Sequence, residues 1–256
     1  DIDINTDVFK FPSINYISGG LLGDFINQLS ICNENFIKTG SKANIYISDN
    51  NLEKFSFGAE TTYNDLKNIL SSQIYINSFK LYNNEEVSIN LSTWRYSPLL
   101  YNTNWYNIFL NTYNIEWAKH KWISTEKIED YQNIIFLNIS TKNNRYINLN
   151  YNLLNKKHVI FLCFNKKEYD VFCEHSGTKL PFYIVKDIDE MFKCINSCYC
   201  FIGNLSSPLA FAISMHKYCI GLIGEDMDTI HMKDLNIPNY YYYQNDNSFT
   251  KNVFDF

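Results

Sequence analysis

Basic charge is what this chain has little of: 22 lysines and arginines stand against 27 aspartates and glutamates, a net charge of −5 over 256 residues. Holding nucleic acid means neutralising phosphates with a basic face, and none stands out, so a general nucleic-acid binder is excluded; a few local cations can still hold a nucleotide. No apolar run approaches the roughly 20 residues of a membrane span, and the N-terminus carries no signal-peptide pattern. The expectation is a soluble cytoplasmic protein without a membrane span. Histidines at zinc-finger spacing are missing around the seven cysteines. Cys163, Cys200 and Cys219 lie in apolar runs, Cys194 and Cys198 stand four apart on a helical segment, and the set reads as small buried hydrophobes of a reducing compartment, not a metal site. Three catalytic signatures are absent as well. No P-loop, no G-x-G-x-x-G fingerprint and no G-x-S-x-G elbow occurs, which leaves P-loop phosphate binding, hydride transfer and serine hydrolysis unsupported.

What is present is a repeated alternation. Residues 11–18, 43–48 and much of 74–81 read as strands, with helices over 24–39, stopped by Gly40, and 61–72. A second series begins at 134–139 and continues through strands at 158–164, 182–185, 199–203 and 218–223. Its helices run through Tyr169 and Phe172, over 188–197 and over 208–215, with Tyr240 to Tyr243 as a candidate edge strand. Near-continuous apolar strands belong in parallel sheets covered on both faces. The fold class is therefore α/β, two Rossmann-like units, expected over residues 1–125 and 126–256, facing across a cleft. Asn fills roughly one position in seven, well above ordinary usage, and is read as codon bias of an A+T-rich genome. All four tryptophans fall between Trp94 and Trp122 in a crowd of aromatic residues. That crowd is read first as packing and second as a surface on which sugar C–H faces stack, with Arg95 and His120 as its candidates to point polar atoms into a cleft.

Glycine is scarce, nine residues in all, and four of them fall in two strand-to-helix turns. They are Ser18-Gly19-Gly20-Leu21-Leu22-Gly23-Asp24 and Phe201-Ile202-Gly203-Asn204-Leu205-Ser206-Ser207-Pro208. Each turn aims the first backbone N–H groups of a helix above the sheet, a ready place for phosphate or carboxylate. Pro208 suits a first helical turn, and Asn204, Ser206 and Ser207 supply oxygens that either cap the helix or meet a diphosphate. Asp24 is read as an N-cap or, facing a cleft, as a general base toward a hydroxyl.

These two turns, with Gly23-Asp24 opening an apolar helix and FIGNLSSPLAFAISM late in the chain, resemble the bacterial heptosyltransferases and related two-domain glycosyltransferases of the GT-B type. The stretch NLSTWRYSPLLYNTNWYNIF is also similar to glycosyltransferase-like proteins of large DNA viruses and some bacteria, which implies host cytoplasm if the source is viral. The resemblance implies transfer of a sugar from a nucleotide-sugar donor to a hydroxyl acceptor, inverting, without a cofactor or metal. Asp24 would be the base. Gly203, Asn204, Ser206 and Ser207, joined by Thr141, Lys142 and Arg145, would hold the donor, and Gly20, Gly23, Trp94, Arg95 and His120 the acceptor. Asn204 stands where the heptosyltransferase pattern usually has Asp. The absence of an Asp-x-Asp triplet at a strand end fits metal independence; Asp1-Ile2-Asp3 and Asp226-Met227-Asp228 read as solvated carboxylates, and Glu225 as a partner for a sugar or ribose hydroxyl. Two other readings stand beside this one: a non-catalytic nucleotide- or glycan-binding protein of the same fold, and a hydrolase pairing Asp24 with His175 or His216.

Overall fold

The computed structural model describes residues 12–140, 158–224 and 227–244. The chain builds two sheets, and every strand pairing in them is parallel. The first holds β1 (Ile14–Ser18), β2 (Ala43–Ile47), β3 (Ile76–Leu81) and β4 (Ile89–Asn90) in the order β3-β2-β1-β4. The second holds β5 (Ile135–Asn138), β6 (Val159–Cys163), β7 (Phe182–Ile184), β8 (Cys200–Asn204), β9 (Cys219–Ile223) and β10 (Tyr240–Gln244), ordered β10-β9-β8-β5-β6-β7. Each sheet begins in its middle, winds outward to one edge, then crosses back to the other side of its first strand. This is the doubly wound arrangement, and it opens a crevice at the strands' C-terminal ends where the winding reverses. In the first sheet that point lies between β1 and β4, in the second between β5 and β8.

Helices α1 (Leu22–Thr39), α2 (Ala59–Ser71), α3 (Trp105–Tyr113), α4 (Lys166–Ser176), α5 (Ile188–Ser197) and α6 (Ser207–Ser214) connect the strands. Their ends follow local rules. Asn165 accepts the Glu168 N–H at the start of α4, Asp187 accepts the Glu190 N–H at the start of α5, and Gly40 closes α1 with φ of 76°. The alternation read from the sequence is present throughout, and Tyr240 to Gln244 is an edge strand. Helix α3, inside the aromatic stretch, is not among the expected elements, although its buried Trp105, Ile108 and Phe109 keep helical spacing.

The two sheets share one core. α1 packs against α6 and α2 against α5, so a helical layer lies between them, and one apolar cluster runs from Tyr16, Phe25 and Leu29 to Phe192, Leu209 and Phe211. Sandwiched there, α1 is buried on every side from Phe25 to Glu34. The outer face of the second sheet has its own cluster under α4, with Cys200 and Ile202 facing it while Phe201 faces the shared core, the period of two expected of a strand.

The tryptophans of the aromatic stretch are packing, while Tyr96 and Tyr101 in the same stretch stay exposed. Trp94, Trp105, Trp117 and Trp122 are all buried. The indole Nε1 of Trp117 donates to the Asn27 carbonyl at 3.0 Å and that of Trp122 to the Ile26 carbonyl at 2.7 Å, while the Trp122 backbone N–H reaches Ser214 O at the end of α6. Residues 115–124 thus strap α1 to α6. All seven cysteines are free, six of them buried, and burial pushes the Cys194 and Cys198 thiols up to about 12. Among the described residues no helix is long and apolar enough to cross a membrane.

Candidate active site

The two glycine turns meet. A Cβ placed on Gly23 would lie 3.4 Å from Ser207 Cα and 3.5 Å from its backbone nitrogen, so the first turns of α1 and α6 touch backbone to backbone. Sequence reasoning put them on opposite walls of a cleft; they are immediate neighbours, and Gly23 is what lets them approach so closely.

Asp24 follows Gly23, in the first turn of α1. The N-cap position belongs to Leu21, so the bland alternative, Asp24 as the cap, does not hold. Its Oδ2 receives Arg95 Nη2 at 2.8 Å. Arg95 comes from the 3-10 turn Thr93–Tyr96 that follows β4, on the other side of the switch point from Asp24. The same Nη2 is paired with Glu53, on the loop after β2. Arg95 is 15% exposed, Asp24 25% and Glu53 41%, so the cluster opens toward water on the Glu53 side.

Five features hold this cluster in place. The Arg95 guanidinium lies 4.3 Å from the centroid of the buried Trp94 ring, a cation–π contact. The Gln28 amide, one helical turn after Asp24, satisfies both its ends in one orientation, donating to Ser18 Oγ and accepting from Trp94 Nε1 at 2.9 Å and Arg95 Nη1 at 3.3 Å. Gly20, at φ +107°, leaves room that a Cβ would take, since that atom would stand 2.6 Å from Arg95 Nη2. Gly19 does the same for the Glu53 loop, whose Asn51 and Glu53 carbonyls would come within 2.5 and 2.6 Å of a Cβ there. Asn51 and Asn90 exchange amide hydrogen bonds, and Ser92 Oγ donates to the Gly19 carbonyl, tying the ends of β1, β2 and β4 together.

On the second sheet, Ser206 occupies the cap position of α6 but makes no side-chain bond to the helix; its hydroxyl donates to Asn204 O at 3.0 Å. The N-terminal end of α6 therefore keeps its positive dipole without a side-chain cap, with Pro208 removing one donor from the first turn. The buried Asn204 has its amide engaged on both sides by Ser140, accepting from its N–H at 2.9 Å and donating to its carbonyl at 2.7 Å. It joins the C-terminal ends of β5 and β8. Gly203 is part of β8, not of the turn, and its bare Cα makes room for the Phe201 ring, 2.7 Å from where a Cβ would stand.

Several expected residues lie elsewhere. His120 sits half-exposed with Nδ1 3.0 Å from Glu34, ten residues along α1 from Asp24 and so roughly 15 Å away by helical rise. Trp94 is the buried shelf under Arg95, not an open stacking surface. His216 follows the last turn of α6 with Nε2 3.1 Å from Ala118 O, and His175 ends α4 beyond the second sheet, so neither pairs with Asp24 as the hydrolase reading needs. Thr141, Lys142, Arg145 and Glu225 lie outside the described residues. Among those described, no three His, Cys, Asp or Glu side chains are grouped so as to hold a metal ion. Glu53 and Gln28 were missed. Glu53 carried one usable signal, a carboxylate on the loop after a parallel strand, the edge of the sheet where ligands bind.

No family model matches the chain, and no curated protein matches it. Solved structures do. It is similar to the E. coli heptosyltransferase WaaC with ADP, at 7% identity over 91% of this chain and 93% of that one, with a TM-score of 0.57. It is likewise similar to a glycosyl transferase family 9 structure from Veillonella parvula, 10% identical over 94% and 89% of the two chains with a TM-score of 0.56. E. coli ADP-heptose lps heptosyltransferase II matches at 9% identity over 90% of each chain, with a TM-score of 0.51. At such identities what is shared is the fold: this chain has the mixed α/β, two-parallel-sheet architecture of these glycosyltransferase structures.

Proposed function

We propose that the chain transfers a glycosyl group from a nucleotide-sugar to a hydroxyl acceptor, by a single inverting displacement that needs no metal. The observation that carries this reading is the contact of Gly23 with Ser207, which brings the helical turn that carries Asp24 against the uncapped N-terminal end of α6. The acceptor oxygen forms its bond to the anomeric carbon as the bond from that carbon to the nucleoside diphosphate breaks. Asp24 takes the acceptor's proton. The departing diphosphate carries the bonding electrons, and its charge is met by the α6 dipole, backbone N–H groups and the hydroxyls of Ser206 and Ser207. Arg95 orients Asp24 by holding Oδ2. The heptosyltransferase neighbour determined with ADP supports a diphosphate in this role.

The test is calorimetric titration of the protein with ADP, GDP, UDP and CDP, then with the matching sugar nucleotides. One of the diphosphates is expected to bind, and Ser207→Asp, which suits a helix N-terminus but repels an anion, is expected to abolish that binding without loss of stability. Asp24→Asn should bind the diphosphate as before and lose turnover by about 100-fold or more. Binding without turnover in the unaltered protein would favour the non-catalytic alternative. Failure of every nucleotide to bind would remove the glycosyl-transfer reading and favour a non-catalytic protein that keeps the fold.

A further inference from the structure

Arg95 is engaged by its own protein through both terminal nitrogens. Nη2 is shared by Asp24 and Glu53, Nη1 faces the Gln28 amide oxygen, and one face of the guanidinium lies on Trp94. Among the described residues, two carboxylates stand around this one guanidinium. Lys54, next along the loop, is exposed, and its charge is screened by water. An anionic group brought to Asp24 would meet the Glu53 carboxylate in the place where a bare Arg95 would have received it.

The loops that present the three charges also present large apolar side chains to solvent. Tyr96, directly after Arg95, is 72% exposed, and Phe57, on the same loop as Glu53, is 85% exposed. Leu52, beside Glu53, and Leu21, at the head of α1, are exposed as well. A single exposed Leu is ordinary. Two exposed aromatic rings and two leucines stand on the segments that also carry Asp24, Glu53 and Arg95. Sugar rings present C–H faces that lie on aromatic rings and hydroxyls that donate to carboxylates, so this surface complements a carbohydrate without charge.

We infer that the acceptor is an uncharged saccharide, seated on Tyr96 and Phe57 with hydroxyls toward Asp24 and Glu53, and that Glu53 is the residue that rejects anionic acceptors. The inference rests on the glycosyl-transfer reading. Like charges placed together at a binding site suppress the wrong partner more than they strengthen the right one, so the mark of Glu53 is in discrimination.

The experiment is saturation-transfer NMR on the full chain with the methyl glycosides of glucose, galactose and mannose and the corresponding methyl hexuronides. The unaltered protein should bind at least one neutral glycoside about tenfold more tightly than its uronide. Glu53→Gln should close most of that gap by improving the uronide, and Tyr96→Ala should weaken the neutral glycoside. Equal or tighter uronide binding by the unaltered protein, no change of preference in Glu53→Gln, or no binding of any neutral glycoside would each overturn the inference; the first and last need no variant to fold. Diphosphate titration of the same samples separates the outcomes, because loss of the acceptor preference with the diphosphate still bound leaves glycosyl transfer standing.

Discussion

At the scale of single residues, the glycines at the site do different work, and only the structure separates them. Gly23 permits a helix-to-helix approach, Gly19 makes room for three carbonyls, and Gly20 combines a φ of +107° with a guanidinium nitrogen 2.6 Å from where its Cβ would be. Gly20→Ala therefore meets both a backbone region foreign to L-residues and the Arg95 head. We expect it to cost about 1–3 kcal/mol of stability, read as a lower urea midpoint, and to lower turnover further by displacing Arg95 from Asp24. An unchanged midpoint would show that the turn relaxes without strain. The glycine turns were legible because Gly and Asp change the local backbone, and their effect is written in neighbouring residues. Arg95 was legible as a polar group in an aromatic stretch, but its partners were not: Asp24 is 71 positions away and Glu53 is 42, and a single sequence holds no trace of such a pairing.

At the scale of elements, most of the fold was readable for a simple reason. Strands buried on both faces must be apolar almost throughout, and helices between them keep an apolar face, so 188–197 could be placed to the residue and most other elements within a few. What failed was the strap over 115–124, whose sequence is shaped by contacts outside itself; α3 was missed although its Asn104 cap and helical spacing are local signals. The strap's indoles donate to carbonyls within α1, and no periodicity foretells that. Trp122 shows what the strap contributes. Its Nε1 reaches Ile26 O at 2.7 Å and its backbone N–H reaches Ser214 O at 2.9 Å, so one residue bonds to both α1 and α6. Trp122→Phe keeps a ring but loses the indole donor and part of its volume, and should lower stability by about 1–3 kcal/mol in chemical denaturation. A change within a few tenths would mean that the contact with α1 is carried by the apolar surface alone.

At the scale of the whole molecule, the described residues join the two sheets at several places. α1 lies against α6 in a common core, the strap bonds to both helices, and the turn Met227–Met232 brings His231 against the rings of Trp94, Tyr101 and Trp105 while Asn104 donates to the carbonyls of Lys233 and Asp234. Unfolding either half alone would strip apolar cover from the other half's helices, and at roughly 25 cal/mol per Å² of apolar area even a modest shared face makes that costly. The distribution of tryptophan turns this into a measurement. All four lie between residues 94 and 122, and none occurs in the second sheet or its helices. Selectively excited tryptophan fluorescence therefore reports the first sheet's side and the strap, whereas far-ultraviolet circular dichroism reports helices and strands of both halves. We expect the two urea transitions to coincide, with one midpoint and one slope. A dichroism transition that begins before fluorescence changes would mean that the second sheet unfolds by itself, and that the contact between Gly23 and Ser207, on which the proposed site depends, is made and broken without cost to the first half.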